Sequence, residues 1–331
     1  MILVTGGAGF IGSHFILSWF DHGDEAVVNI DKLTYAGNVQ RLSALNHTAN
    51  YIFIQGDIAD VVQVEEILYR YHPRAIIHFA AESHIDRAIH EPKPFMQTNI
   101  LGSFYLLEAA CRYWQRLTPL QRAQFRFLHI STDEVYGGLA KQEAPIQEGH
   151  RYLPGNPYAA SKAASDHLVW AWHHTYGLPI FITHASNNYG AYQDHEKLIP
   201  ATIMRLLNQQ PAQLYGDGQQ KRDWLYVDDH CAALRWILDH GKVGETYHIG
   251  AGQEKTNLEV VDALCDVLEC LQPNRIAKKV QYIPDRLGHD QRYAMDTTKL
   301  HKLGWYPKET FETGIIKTVK WYINHVDDER T

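Results

Sequence analysis

The stretch Met1-Ile-Leu-Val-Thr-Gly6-Gly7-Ala8-Gly9-Phe10-Ile11-Gly12 decides the fold. Its first five residues read as a short buried strand, and the glycine-rich remainder reads as a turn that opens a helix. Gly6, Gly9 and Gly12 fit Gly-x-x-Gly-x-x-Gly; one residue shifted, the run also fits Gly-x-Gly-x-x-Gly. Glycines permit so tight a turn and let backbone N–H groups approach a pyrophosphate at the positive end of the helix. Taken alone the motif is weak, and a plain strand–helix turn competes with it. The context favours the dinucleotide. The second strand ends at Asp31, nineteen residues beyond Gly12, where a carboxylate can bind both ribose hydroxyls. It would repel the 2′-phosphate of NADP, so NAD is the predicted cofactor. Asp57-Ile58, after the third strand, fits beside an adenine, and Asp57 fits equally well as a helix cap.

Outward from this loop, apolar β-branched runs alternate with helical patterns. Strands are predicted at Met1–Thr5, Ala26–Asp31, Tyr51–Gln55, Ala75–Ala80, Phe125–Ser131, Pro179–His184 and, later, Thr246–Ile249. Helices are predicted at Gly12–His22, Val62–Tyr71, Asn99–Trp114 and Pro157–Tyr176. Such alternation builds an α/β fold, a Rossmann-type doubly wound parallel sheet. After Asn188 the elements shorten and Pro200, Pro211 and Gly216-Asp-Gly218 break the pattern. Residues 1–188 therefore read as the NAD-binding domain and 189–331 mainly as a smaller substrate lobe. Thr246–Ile249 looks like a strand of the first sheet, so the two interleave. Asp327-Asp-Glu-Arg-Thr331 reads as a frayed polar tail.

Composition excludes several classes. The chain has 331 residues, 45% hydrophobic and 21% charged, as an ordinary globular protein does. A net charge of −7 offers no basic face for nucleic acid. Cys111, Cys231, Cys265 and Cys270 lack metal or redox spacing and read as free thiols in a reducing compartment. No apolar run approaches membrane-spanning length and the first strand begins at once, so a cytoplasmic location is expected. Twenty histidines form no metal motif, and no metal is predicted.

Two further patterns carry chemistry. Thr132-Asp133-Glu134 ends the Phe125–Ser131 strand, at the sheet edge where ligands bind in open α/β folds. Two carboxylates there can divide acid and base work, which suits elimination of water better than simple oxidation. Asn156-Pro157 starts a helix, and Tyr158 and Lys162 fall one turn apart on its face. A nearby ammonium, together with a positive nicotinamide, would lower the phenol's pKa and make Tyr158 a base. An amphipathic helix carrying a tyrosine and a solvated lysine is the plainer reading of that pair alone.

Gly-x-x-Gly-x-x-Gly followed by Tyr158-Ala-Ala-Ser-Lys162 resembles the extended short-chain dehydrogenase/reductase family, and within it the dTDP-glucose 4,6-dehydratases. The blocks run in one order, from Asp31-Lys-Leu-Thr-Tyr-Ala-Gly37 and Ala80-Ala-Glu-Ser-His-Ile-Asp-Arg87 to Arg222-Asp-Trp-Leu-Tyr-Val-Asp-Asp-His230 and Asp285-Arg-Leu-Gly-His-Asp290. Ala88, Ala191 and Leu287 depart from the family pattern in loops near the substrate side. The resemblance implies conversion of dTDP-glucose to the 4-keto-6-deoxy sugar nucleotide and water, in deoxysugar biosynthesis, with NAD held tightly and regenerated each turnover. It implies NAD contacts from Phe10, Ile11, Asp31, Lys32, Leu33, Thr34, Asp57, Ile58, Ala80, Ala81, Ser83, Thr98, Tyr158, Lys162 and Asn187. It implies a catalytic set of Thr132, Asp133, Glu134, Tyr158 and Lys162, with Thr132 on the sugar's 4-hydroxyl. Ser83, His84, Asn188, Lys197, Leu198, Tyr215, Arg222, Asn257, Arg286 and His289 are expected along the nucleotide-sugar site.

Three rivals remain: a nucleotide-sugar 4-epimerase or decarboxylase, a dehydratase for another nucleotide, and a non-catalytic NAD-binding regulator. The Asp133–Glu134 pair speaks against the first, and the intact Thr132, Tyr158 and Lys162 speak against the last. Leu168-Val-Trp-Ala-Trp172 is apolar nearly all round its helix. A homodimer paired through this helix, together with Asn99–Trp114, would bury the excess.

Overall fold

A computed structural model describes residues 1–23, 25–273 and 279–325; the expected polar tail at 327–331 lies outside the described residues. Six strands follow one another through the first half: β1 (Ile2–Thr5), β2 (Val27–Asp31), β3 (Tyr51–Gln55), β4 (Ala75–His78), β5 (Arg126–Thr132) and β6 (Ile180–Ala185). Later come β7 (Asn187–Tyr189), β8 (Ala212–Tyr215), β9 (Lys221–Tyr226), β10 (Glu245–Ile249), β11 (Glu254–Thr256) and β12 (Val280–Ile283). A seven-stranded sheet has the order β3-β2-β1-β4-β5-β6-β10, every pair parallel. The order reverses between β1 and β4, which opens a crevice at the carboxyl ends of the strands.

Apart from the half-buried edge strand β3, the strands of this sheet are buried on both faces, as a doubly covered sheet requires. Along β1 the pleat sends Ile2 and Val4 to one core, with Phe15, Leu234 and Ile237. Leu3 goes to the other, with Leu68, Leu107 and Val169. Residues beyond 188 complete the first core, because Leu234 and Ile237 belong to helix Val227–His240 and β10 pairs with β6. A third core around Ile203, Leu214, Trp224, Leu264 and Ile315 supports two small sheets, β11-β9-β7 and β12-β8.

Three elements differ from expectation by two residues or more. The first helix is Phe10–Asp21, starting two residues early because Gly9, extended at φ −74° and ψ 173°, takes the N-cap position. Strand β4 stops at His78, and Ala80 already belongs to the loop of the crevice. The helix expected from Asn99 begins at Lys93, with Pro94 in its first turn, and widens to π-helical turns over Met96–Gly102 before Ser103–Arg116. Asn99 points inward there, accepting from the Glu82 N–H at 2.8 Å and donating to Ser161 Oγ at 2.8 Å. Such widened turns recur at functional sites.

Candidate active site

The glycine loop builds one wall of a crevice cavity of about 310 Å³. Gly6 has φ +71°, and a Cβ there would sit 2.5 Å from the Ala80 nitrogen; one at Gly12 would strike the Gly6 carbonyl. Gly9, the N-cap, has no side chain to cap the helix, and Phe10, Ile11 and Gly12 at its start line the cavity. That is the arrangement a pyrophosphate needs. Asp31, at the end of β2, is oriented by the Ala8 N–H at 2.9 Å and the Leu33 N–H at 2.8 Å. Lys32 and Thr34 line the cavity beside it; Leu33, at φ +58°, is not among the lining residues and contributes its backbone. Asp57 and Ile58 line the cavity beside them. Asp57 pairs with Lys32 at 2.6 Å, while Asp60 supplies the cap of helix Val61–Tyr71, so Asp57 is not that cap. Ala80, Ala81, Ser83, Thr98 and Asn187 complete the lining.

The reacting groups lie deeper in the same cavity. Strand β5 delivers Thr132 in extended conformation, and a tight turn over Asp133–Tyr136 follows. The Thr132 hydroxyl accepts from the Glu134 N–H at 3.3 Å and donates to Asp133 Oδ1 at 3.2 Å. Asp133 is 5% exposed, and its Oδ2 is buried without a hydrogen-bond partner. Burial, reinforced by the Glu134 carboxylate, pushes Asp133 up to about 8, so it holds a proton at neutral pH. Burial raises Glu134 as well, but a hydrogen bond from Asn156 Nδ2 at 3.1 Å and the cations Arg222, Lys197 and Arg286 oppose the rise. The pair is thereby split into an acid and a better-supported carboxylate.

Asn156 also accepts from the Ala159 N–H at 2.9 Å, capping helix Pro157–Tyr176 and so aiming Tyr158 and Lys162 at the cavity. Lys162 Nζ donates to the Ile130 carbonyl at 2.8 Å, and burial brings it down to about 8. The expected lowering of the Tyr158 phenol is not found in the protein alone. Burial raises it, followed by Glu134 and Asp133, while a hydrogen bond with the Thr132 side chain opposes. Lys162 faces a carbonyl rather than the phenol, so the base form depends on a positive charge brought by the cofactor.

One turn beyond Lys162, the buried Asp166 accepts from His129 (3.1 Å), His184 (2.9 Å) and Ser131 (3.0 Å). These bonds hold its carboxyl well below the ordinary range despite burial.

A second cavity, of about 260 Å³, shares Glu134, Asn187, Asn188, Gln193 and Lys197 with the first. His84, Leu198, Tyr215, Arg222, Asn257, Arg286 and His289 all line it. Lys197 Nζ donates to the Ser83 carbonyl at 3.2 Å, and burial lowers its pKa. Arg222 donates to the Lys221 and Asp290 carbonyls and lies 4.4 Å from the Tyr293 ring centre. Arg286 pairs with Asp86 at 2.5 Å and lies over Tyr215. His289 contacts Asp285 at 2.7 Å, and His84 caps helix Ile85–His90. The clustering of Lys197, Arg222 and Arg286 suits an anionic group such as a diphosphate. Asn156, Gln193 and Tyr293 were missed from sequence; Asn156 carried a signal only as a helix cap, and the other two carried none.

Among the described residues no group of His, Cys, Asp and Glu can hold a metal, and no helix is long and apolar enough to cross a membrane. None of the four cysteines forms a disulfide among the described residues.

The family model described as GDP-mannose 4,6 dehydratase matches residues 3–318. The dTDP-glucose 4,6-dehydratase of Xanthomonas campestris is 51% identical over 328 residues, 98% of this chain and 93% of that one. A solved dTDP-glucose 4,6-dehydratase of Streptomyces venezuelae, with NAD bound, superposes at a TM-score of 0.90 with 41% identity over 98% of each chain. The UDP-glucose 4-epimerase of Thermotoga maritima superposes at 0.87 but is 29% identical, over 98% of this chain and 99% of that one.

Proposed function

The chain belongs to the GDP-mannose 4,6 dehydratase family, and from that premise we propose that it is an NAD-dependent dTDP-glucose 4,6-dehydratase. It converts dTDP-glucose to dTDP-4-keto-6-deoxyglucose and water, a step of deoxysugar biosynthesis. The observation that carries this reading is the Asp133–Glu134 pair, with a buried unpartnered Asp133 oxygen in the cavity that holds Tyr158. The epimerase fold is nearly the same, but epimerisation at carbon 4 has no work for two carboxylates over carbons 5 and 6.

The glycine loop, Asp31 and Asp57 would hold NAD, which when bound would supply reversible hydride transfer to the sugar. Tyr158 takes the proton of the 4-hydroxyl, with Thr132 beside it and Lys162 supplying positive charge below. The resulting ketone acidifies carbon 5. Glu134 removes that proton, and Asp133 gives one to the departing 6-oxygen, so water leaves. Glu134 then returns its proton to carbon 5. Lys197, Arg222 and Arg286 bind the diphosphate, and residues 189–331 form most of the nucleotide-sugar lobe. Because the redox change cancels within one turnover, NAD stays bound.

Two further readings complete the proposal. The partly exposed Phe104, Tyr105 and Trp172 adjoin exposed Leu101 and Tyr176 on neighbouring helices, which supports a homodimer through a helix bundle. The protein works in the cytoplasm, where its sugar nucleotide is made.

Incubation with dTDP-glucose is expected to give a product lighter by one water, with UDP-, CDP- and GDP-glucose turned over more slowly. The Asp133→Asn, Glu134→Gln double variant should still form bound NADH yet lose dehydration by roughly 10²-fold or more. Undiminished water loss by that variant would sink the assignment.

A further inference from the structure

Two of the three cations assigned to the diphosphate are held by one short stretch, the loop after β4 and the first turn of helix Ile85–His90. Lys197 Nζ donates to the Ser83 carbonyl at 3.2 Å. Arg286 Nη2 donates to Asp86 Oδ2 at 2.8 Å, and its Nε lies 2.5 Å from Oδ1. The Tyr215 hydroxyl donates to the same Asp86 Oδ2 at 3.4 Å, and the Tyr215 ring centre lies 4.7 Å from the Arg286 guanidinium carbon. Tyr215 and Arg286 line the second cavity, whereas Asp86 is not among its lining residues.

We propose that Asp86 is a positioning residue: with Tyr215 it fixes the Arg286 guanidinium for the diphosphate of the nucleotide sugar, without touching that group itself. This rests on the dehydratase reading above, in which Arg286 binds the diphosphate. A guanidinium is planar and carries five donors in a fixed fork. Asp86 occupies the edge formed by Nε and Nη2, and the Tyr215 ring covers one face, so both the plane and the rotation of the fork are set. Nη1 makes no hydrogen bond among the described residues and is left for a phosphate oxygen. An arginine ordered in advance loses less freedom when the ligand arrives.

Two plainer roles compete. Partly exposed ion pairs stabilise a fold little, and the Arg286 and Asp86 side chains are 21% and 30% exposed, so stability is a weak reason for this pair. A carboxylate in the first turn of a helix also favours its positive end, but that role needs no arginine. The sign of the effect on binding separates positioning from mere neutralisation. If Asp86 only cancelled the charge of Arg286, its removal would strengthen the pull on an anion. If it orients Arg286, its removal weakens binding.

The test is calorimetric titration of the NAD-loaded protein with dTDP, alongside steady-state kinetics on dTDP-glucose. Asp86→Asn is expected to weaken dTDP binding and raise KM by roughly three- to tenfold, with kcat little changed. In an Arg286→Met background the same substitution should have no further effect on dTDP affinity. Unchanged or tighter dTDP binding by Asp86→Asn, a fall in kcat with KM unchanged, or an equal loss with and without Arg286 overturns the proposal. Should Asp86→Asn not fold, Asp86→Glu is compared in the same two backgrounds, because its longer arm displaces the carboxylate. A loss of affinity confined to the background that keeps Arg286 supports positioning, and any other result overturns it. Absence of dTDP binding by the wild type would instead refute the nucleotide-sugar reading, so the two failures are distinct.

Discussion

Asp133 and Glu134 are neighbours in the chain with different surroundings. Asp133 has Thr132 on one oxygen and nothing on the other, while Glu134 has Asn156 and several cations within reach. Burial therefore leaves Asp133 protonated up to about 8, and the same depth brings Lys162 down to about 8. Both changes act in one direction. As pH rises through that value Asp133 loses the proton that the proposed mechanism has it donate, and Lys162 loses the charge proposed to favour a phenolate. The rate of water loss is expected to fall above about pH 8, and a kcat profile from about pH 6 to about pH 10 checks it; a flat profile contradicts the assignment. The paired carboxylates were legible in sequence. Their division of labour was not, because it depends on Asn156, Arg222 and Lys197, which folding brings from elsewhere.

At the scale of elements, Asp166 ties three pieces together: His129 and Ser131 on β5, His184 on β6, and its own helix Pro157–Tyr176. The strand carries Thr132 and leads into Asp133, and the helix carries Tyr158 and Lys162, so this buried node ties together the two elements that bear the proposed catalytic groups. Replacing Asp166 by alanine strands three buried polar groups and is expected to cost about 3 kcal/mol or more in urea unfolding at neutral pH. The folded-state pKa of Asp166 is depressed, so its contribution is present above the ordinary aspartate value. It fades as pH falls through and below roughly 4. The gap between wild type and variant should narrow accordingly in acid. Period and propensity located the strands to within a residue or two. They did not foresee the π-helical turns at Met96–Gly102, within which Asn99 bonds inward to Glu82 and Ser161.

For the whole molecule, the helix pair Ser103–Arg116 and Pro157–Tyr176 lies on the outside of the sheet. Val169 is buried inward, and Leu168, Trp170 and Trp172 pack partly against that core. The aromatic edge that remains, Phe104, Trp172 and Tyr176, is continuous. Trp172→Glu places a charge there and is expected to shift the protein from dimer to monomer in sedimentation velocity, with NAD retained. A wild type that sediments as a monomer at micromolar concentration refutes the pairing.

Sequence by itself determined the local chemistry: a glycine turn that admits a phosphate, an acidic strand end for a ribose, a Tyr/Lys pair on one helical turn, and two carboxylates at a strand edge. These depend on short spacing and on which side chains a given backbone tolerates, and both are written in neighbouring residues. Only the tertiary structure decided that β10 and helix Val227–His240 complete the first core, that two cavities meet at Glu134, Asn188 and Lys197, and that burial raises Asp133 while Asn156 and nearby cations support Glu134. Those outcomes depend on burial and on partners far along the chain, and desolvation exists only once the chain has closed around the site.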